Sequence, residues 1–561
     1  MKINILLLLN LFILNIFSVS SKKNLREEEI DEPILKMSEI EYSDNNGVFE
    51  IKSDSVITQI SWTKKDKDSY KYNYLLGIFE GANDSSFSDA VPIAIIKELG
   101  SLNEVNYIDI NVPTVYKYIR YTAPNKNNSD ISPIKLFGVS KSEINANEKK
   151  DFQVTNLPLV SIRTDGDVFP ASKDQEINCK VTITNQGKIE TNSQQATIKI
   201  RGKSTSNVSD KKPYRIKFNE KQQVLGFSGK YKKWTLIANF YDKALMRNAI
   251  AFKISEIMQF EYTPRCKPVD VILNGDYRGN YYLCDQMEVG EDRINIDKME
   301  RTDITEPNLS GGYFLEVDGG GSFYGYSSFK TDKGIQWKIN YPKEDDIAQE
   351  QINYISAKFN KFETEVYSGI FDSLDLDSYS KFFLVEEFCG DPDAVWSSFY
   401  FIKKRNDDKF YFGPVWDFDL GFDNDQRLTP TNDKPQFAFT YGASSGTMMD
   451  FTKTLIGHKT VMQHIQNTWE KLCSSGLNEN ALLQYIEQLK NDIQESSDLN
   501  YMKWDNFKKE KNPWGWDWGD IPGFGRISEN FEDGVNRLKE YIRKRFSSLG
   551  NLINNAVNSA H

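Results

Sequence analysis

From Ile51 to Gly138 apolar and polar residues alternate in short runs (VITQISW, YLLGIFEGAND, YIDINV, VYKYIRYTAP, IKLFGV) divided by turn residues. Period-two alternation turns every second side chain to one face, so these runs predict the strands of an all-β sandwich. A second strand-rich stretch opens near Leu157, with patterns at Leu159–Arg163, Cys179–Thr184, Ala196–Ile200, Lys211–Phe218 and Trp234–Asn239. Val269–Cys284 reads as a hairpin around Asn274-Gly275, because the tight turn that matches strand twist needs positive φ at both central positions. The period then lengthens. Asp242–Met258 has helical spacing with Asp242 placed as its N-cap, and helical runs follow at Asp346–Ser368, Asp377–Phe388, Thr460–Leu472, Glu479–Ser496 and Asn530–Leu549. Strands early and helices late predict an α+β domain of two lobes behind the sandwich. The expected division is a charged leader over 22–50, the sandwich over 51–139, a polar linker over 140–156, the large domain over 157–550 and a tail over 551–561.

The 561 residues carry a net charge of −11, which lacks the basic footprint that nucleic acid or an anionic membrane requires. Met1–Ser21 reads as a secretory signal peptide: Lys2 leads, Ile3–Phe17 is apolar, and Ser18–Ser21 is a small-residue cleavage region. Asn10 and Asn15 interrupt the run and disfavour a signal anchor. No other segment is apolar enough to span a bilayer. Asn83, Asn127, Asn207 and Asn308 each open an Asn-x-Ser sequon, in keeping with a secreted or lumenal chain. The five cysteines are too few for a disulfide scaffold, and their odd number leaves one unpaired within the chain. The only histidines are His458, His464 and His561. A zinc site or a Ser-His-Asp triad would have to use His458 or His464, both on an expected surface helix.

Chemistry gathers in the stretch Glu386–Asp425. Two apolar runs, Phe399–Ile402 and Phe410–Trp416, flank the polar turn Lys403–Lys409 and predict a hairpin. An acidic loop lies at each end, with Asp391 and Asp393 in one and Asp417, Asp419, Asp423 and Asp425 in the other. Carboxylates that converge repel unless a proton or a divalent cation offsets them. Upstream, Arg201–Asn207 is a Gly/Ser/Thr loop between strands, with lysines on the strand that follows. Loop, lysine and paired acidic loops make up the parts of a phosphoryl-transfer site. The loop is neither a Walker A loop nor a protein-kinase Gly-rich loop.

These motifs together resemble the CotH family, the spore coat protein H-like atypical kinases. The matching pieces are Ile198-Lys-Ile-Arg-Gly-Lys-Ser-Thr205, Lys211-Lys-Pro-Tyr-Arg-Ile-Lys217, Trp234–Asp242 with Arg247-Asn248, Val269–Tyr281, Gly311–Glu316 and Gly413-Pro-Val-Trp-Asp-Phe-Asp-Leu-Gly421. The resemblance implies a two-lobed kinase-like fold that uses ATP and Mg2+ or Mn2+ to phosphorylate protein hydroxyls. Asp393 would orient the acceptor, and Asp417 would bind the metal with Asp419 as a second ligand. Ser398 stands where many members carry a metal-binding Asn. Asp391 stands where Asn is common, adding a like charge beside Asp393 that should raise the pKa of one carboxylate. Arg201, Gly202, Lys203, Ser204 and Thr205 would line the phosphate loop, with Lys212 or Lys217 as the phosphate lysine and Glu316 a candidate partner for it.

The N-terminal runs Ile78–Asp84, Phe87–Ala90, Tyr116–Tyr121 and Ile134–Gly138 resemble the discoidin-like (coagulation factor type C) jelly-roll sandwich, whose members often bind glycans or lipid head groups. The leading expectation is a secreted protein kinase with a surface-binding sandwich, acting on a protein phosphoacceptor. A catalytically inactive CotH-type adhesin or scaffold is the alternative. A glycoside hydrolase would need paired carboxylates in a sugar-stacking cleft. The tryptophans Trp504, Trp514, Trp516 and Trp518 read either as a packed cap or as such a platform.

Overall fold

The computed structural model describes residues 37–561 apart from 46, 65–73, 113, 125–130, 145–149, 318–325, 426–435, 439–446 and 505–527. The signal segment Met1–Ser21, Asn127, Trp514, Trp516 and Trp518 lie outside the described residues.

The N-terminal region is all-β, built from two antiparallel sheets. One holds Ser38–Glu39, Ile131–Ser140, Ser55–Lys64 and Val105–Asp109; the other holds Tyr42–Asn45, Val48–Ile51, Tyr118–Thr122, Ile78–Ala82 and Val91–Ile95. Ile60, Trp62 and Leu136 from one face and Phe49, Ile78 and Ile119 from the other share one buried cluster. Three of these strands fall inside the stretch expected to be a solvated leader. Charge hid the pattern there: Phe49 and Ile51 are buried while Val48 and Glu50, which alternate with them, are only half-buried, so the acidic Glu50 occupies the outer face of the strand.

The sandwich is docked rather than tethered. Its buried cluster runs on into Leu159, Ile272, Tyr277 and Leu499 of the following domain. Glu80, fully buried, accepts hydrogen bonds from Arg120 Nε at 2.8 Å and Thr122 Oγ1 at 3.2 Å, and forms an ion pair with Arg163 across the junction.

Seven strands between Leu159 and Asp285 close into a barrel. The strand Leu159–Thr164 pairs antiparallel with Ile177–Asn185 and parallel with Cys266–Leu273, with Leu159 opposite Asp270 in the second pairing. Closure leaves no free edge. Val160, Val181, Ile198, Ile216, Trp234 and Val271 fill its interior. The expected hairpin turn is present, with Asn274 at φ 54° and Gly275 at φ 75°. The expected helix from Asp242 starts later, at Arg247, and runs to Ile257. Asp242 instead organises the turn ahead of it: its carboxylate accepts from the N–H groups of Ala244 (2.9 Å), Met246 (2.7 Å) and Arg247 (2.7 Å) and pairs with the Arg247 guanidinium.

A mixed α/β region follows. A five-stranded sheet contains the expected hairpin Phe399–Lys403 and Phe410–Phe412. It packs on the helices Gln349–Tyr367 and Leu376–Cys389 through a knot of aromatic rings, with the Trp337 and Phe359 ring centres 4.4 Å apart and those of Phe399 and Phe382 4.9 Å apart. Four more helices follow among the described residues: Thr447–Gly457, Lys459–Ser475, Glu479–Lys503 and Phe531–Ser559. The third of these ties the molecule together. Lys97 of the sandwich donates to Glu495 at 2.7 Å, and Asn156 of the expected linker donates to the Asp492 carbonyl at 2.8 Å. Ser496 donates to Asp270 of the barrel at 2.7 Å, and Lys503 donates to Asp276 at 2.5 Å. Trp504 caps this seam, its Nε1 donating to the Arg278 carbonyl at 2.8 Å. Among the described residues, no helix is long and apolar enough to cross a membrane.

Candidate active site

The helix Leu376–Cys389 is buried along most of its length, and it ends at Gly390 in the left-handed conformation (φ 59°). A Cβ at Gly390 would strike the Tyr541 hydroxyl, so both conformation and space call for glycine. This cap aims the chain into the first acidic loop. The Asp391 carboxylate accepts from Asp393 N–H at 3.1 Å, and the Asp393 carbonyl accepts from Trp396 N–H at 2.8 Å. Asp391 is buried, Asp393 and Ser398 are half-buried, and Ser398 sits at φ 57°.

The second acidic loop is pinned from several sides. Trp416 stacks on Phe252 with ring centres 5.7 Å apart. Phe418 N–H donates to Asn248 Oδ1 at 2.8 Å, and Asn424 Nδ2 donates to the Asp419 carbonyl at 2.7 Å and the Tyr241 carbonyl at 3.0 Å. Phe422 N–H donates to the Cys389 carbonyl at 2.5 Å, joining the two loops directly. Asp417 is exposed at φ 78°, a conformation that β-carbon sterics disfavour and that recurs at functional sites. The loops therefore meet, as the hairpin reading requires.

Electrostatics register the meeting. Burial first, and then the charges of Asp417, Asp242, Asp391 and Asp393, raise the Asp419 carboxyl well above the usual range. Asp391 contributes to this shift only after burial, Asp417 and Asp242. Behind the loop, Glu386 is raised well above the usual range by burial, then by Asp391 and Glu387, and one of its carboxyl oxygens is buried with no hydrogen-bond partner. Glu387 is held by Arg545 at 2.8 Å. Neither glutamate stood out in the sequence, since a helix pattern does not say which polar residues face inward.

The Gly/Ser/Thr loop reaches the same place. The Arg201 guanidinium lies 5.4 Å from the Trp416 ring centre. Gly202 is at φ 77°, and Ser204–Val208 forms a short helix in which Ser206 Oγ donates to the Lys203 carbonyl at 2.7 Å. Lys203 is exposed; Ser204 and Thr205 are half-buried.

The three lysines of this strand and its approach have different surroundings. Lys217 is exposed on the barrel's outer face beside Glu176. Lys212 Nζ donates to the Ser206 carbonyl at 2.8 Å and so braces the loop. Lys211, which the sequence did not single out, is buried with no hydrogen-bond partner for Nζ, 4.9 Å from the Tyr281 ring centre. Burial, with Arg278 and Lys243, pulls its pKa well below the lysine range, while Asp242 and Asp270 act in the other direction. Asp242 contributes to the electrostatics of both Lys211 and Asp419. Only its neighbours in the Lys-Lys-Pro run hinted at it.

Other expected groups are engaged elsewhere. Glu316 pairs with Lys338 at 3.0 Å and accepts from Asn340 at 2.9 Å. His464 Nδ1 lies 2.9 Å from Ser380 Oγ, and the His458 ring packs edge-on against Phe371.

The family model described as "CotH kinase protein" matches residues 198–549. No curated relative matches the chain. Among solved structures, a protein titled "CBM62 from Clostridium thermocellum Xyl5A" is similar at 31% identity, covering 16% of this chain and 68% of that one, with a TM-score of 0.15. The family match runs from the strand before the phosphate-type loop to the last helix and takes in both acidic loops, so the chain belongs to the CotH kinase family.

Proposed function

We propose that the chain is a secreted kinase that transfers the γ-phosphate of ATP to Ser or Thr hydroxyls of extracellular or surface proteins. The main support is the convergence of Asp391, Asp393, Asp417 and Asp419 with Asp242, opposite a loop that carries Arg201. In this reading Asp393 orients the acceptor hydroxyl and takes its proton. Gly202, Lys203, Ser204 and Thr205 let backbone and side-chain donors approach the phosphates, with Arg201 anchored beside them. Lys211, rather than Lys212 or Lys217, is the phosphate lysine in this reading, and phosphate charge beside it would offset the burial that lowers its pKa.

The donor set fits Mg2+ or Mn2+. Among the described residues no three His, Cys, Asp or Glu side chains are gathered to cage an ion by themselves. Magnesium is ordinarily held by one or two carboxylates together with phosphate oxygens and water, and Asp417 and Asp419 are such a pair. Ser398 adds a neutral oxygen. When bound, the cation offsets the negative charge of the phosphates.

Secretion rests on the Met1–Ser21 pattern and on the exposed sequons Asn83, Asn207 and Asn308. The N-terminal sandwich is assigned a glycan or surface ligand on its discoidin-like motifs. A catalytically inactive scaffold is the second reading, motivated by Ser398 in place of the family's Asn.

The test is transfer of labelled γ-phosphate to the chain and to an acceptor mixture with Mg2+ or Mn2+. Label that vanishes in Asp393→Ala and Asp417→Ala supports the kinase. A folded wild-type chain that transfers nothing with either metal supports the scaffold.

A further inference from the structure

Cys266 and Cys284 stand opposite each other on the adjacent barrel strands Cys266–Leu273 and Asp276–Asp285. Asp285 N–H donates to the Arg265 carbonyl at 3.0 Å, so the ladder bond lies beside the cysteine pair and does not join it. At such non-hydrogen-bonded positions α-carbons approach to about 4.5 Å with both side chains on one face. That spacing lies within the range a disulfide spans. The two thiols share that face: burial pushes the Cys284 thiol well above its usual range, and Cys266 opposite it pushes the same way. Cys284 is buried and Cys266 half-buried. The other cysteines are placed differently: Cys179 faces Ala196, Cys389 ends a buried helix, and Cys473 is exposed on another helix.

We propose that Cys266 and Cys284 are a covalent modification site, a cross-strand disulfide formed by exchange with a low-molecular-weight disulfide such as oxidised glutathione. The more accessible Cys266 reacts first, as thiolate. Its sulfur bonds to one glutathione sulfur, the glutathione S–S bond breaks, and one glutathione thiol leaves. Cys284 then gives up its proton and attacks the Cys266 sulfur, expelling the second glutathione. The chain loses two electrons and two protons, and the glutathione disulfide gains them as two thiols. The raised pKa of Cys284 makes its attack the slow step. With one sulfur buried, the finished bond is shielded from reductant. It closes the seam next to Asp285, which accepts from Arg265 Nε at 2.7 Å and Arg293 Nε at 3.1 Å. The proposal does not depend on the phosphotransfer reading, although the Arg201 charge reaches Cys284 and partly offsets the effect of burial on it.

The test uses the full chain equilibrated in glutathione buffers of graded ratio, alkylated with iodoacetamide and digested without reduction. The expected result is one cross-linked peptide pair joining Cys266 to Cys284, with both sites protected from alkylation. The oxidised chain also has a higher Tm than the dithiothreitol-treated chain. Cys284→Ser keeps one glutathione on Cys266. Full alkylation of both cysteines in the most oxidising buffer would overturn the proposal. So would a stable glutathione adduct on wild-type Cys266, or a cross-link through Cys473 instead.

Discussion

The Arg201 guanidinium lies 5.4 Å from the centre of the Trp416 ring, joining the barrel loop to the residue just before Asp417. A planar cation over an aromatic face is held by the ring quadrupole and keeps its donors free for a phosphate. Arg201→Ala is therefore expected to raise the KM for ATP about tenfold with an unchanged circular dichroism spectrum. Arg201→Lys restores less than half of that loss, because an ammonium neither stacks nor forks. Steady-state kinetics at varied ATP check both.

Lys211 gives a sharper contrast. Its side-chain nitrogen is buried without a hydrogen-bond partner, so an apolar isostere removes a desolvation cost. Lys211→Met should hold or raise Tm while abolishing phosphotransfer. Lys217→Met, on the outer face, should leave both unchanged. Lys212→Met should loosen the 203–206 loop and give an intermediate loss. A Lys217 variant as inactive as the Lys211 variant would refute the assignment.

Glu80 carries the sandwich–barrel junction. Breaking a buried pair from one side leaves the other charge stranded, at a cost of about 3 kcal/mol. Arg163 keeps a second partner in Asp167 at 2.6 Å; Glu80→Ala is expected to cost that amount or slightly less. Urea unfolding followed by tryptophan fluorescence measures it, since Trp62 reports on the sandwich and Trp234 on the barrel.

Lys403 predicts an unusual pH dependence. Burial lowers its pKa to about 8 while Nζ donates to the carbonyls of Ser310 (3.0 Å) and Lys404 (2.9 Å). The folded chain then binds fewer protons than the unfolded chain between about pH 8 and the unfolded value of about 10.4. The residue's destabilising effect is complete below about pH 8 and fades as pH rises through that window. Wild type should gain on Lys403→Met by roughly 1 kcal/mol per pH unit between pH 8 and 10. Parallel unfolding curves at each pH give the difference directly.

Local signals were legible wherever backbone geometry demands particular residues. Asn274-Gly275 announced its turn because only such residues take two successive positive φ values cheaply. The hairpin with its acidic ends was readable from two apolar runs around a polar turn, and the Trp-Asp-Phe-Asp loop from its resemblance to the family motif. Barrel closure was not, because period-two spacing says that Leu159 sits in a strand and nothing about Asp270 as its partner. The strands before Ile51 were missed because their charges lie on the outer face. Lys211 escaped because burial of a lysine runs against composition, and the helix start slipped because Asp242 caps a turn with the same chemistry it would use to cap a helix.

The seam between Ser496 and Asp270 also sets an order of events during synthesis. Asp270 is fully buried and accepts from Thr155 at 2.6 Å, Tyr277 at 2.7 Å and Ser496 at 2.7 Å. A nascent chain on the ribosome makes the barrel strands long before residue 496 emerges. Until then Asp270 lacks one of its donors and the seam around Asn280 and Asp276 stays wet. The barrel of a growing chain is therefore an unfinished vessel, sealed only when one of the last helices to be translated arrives.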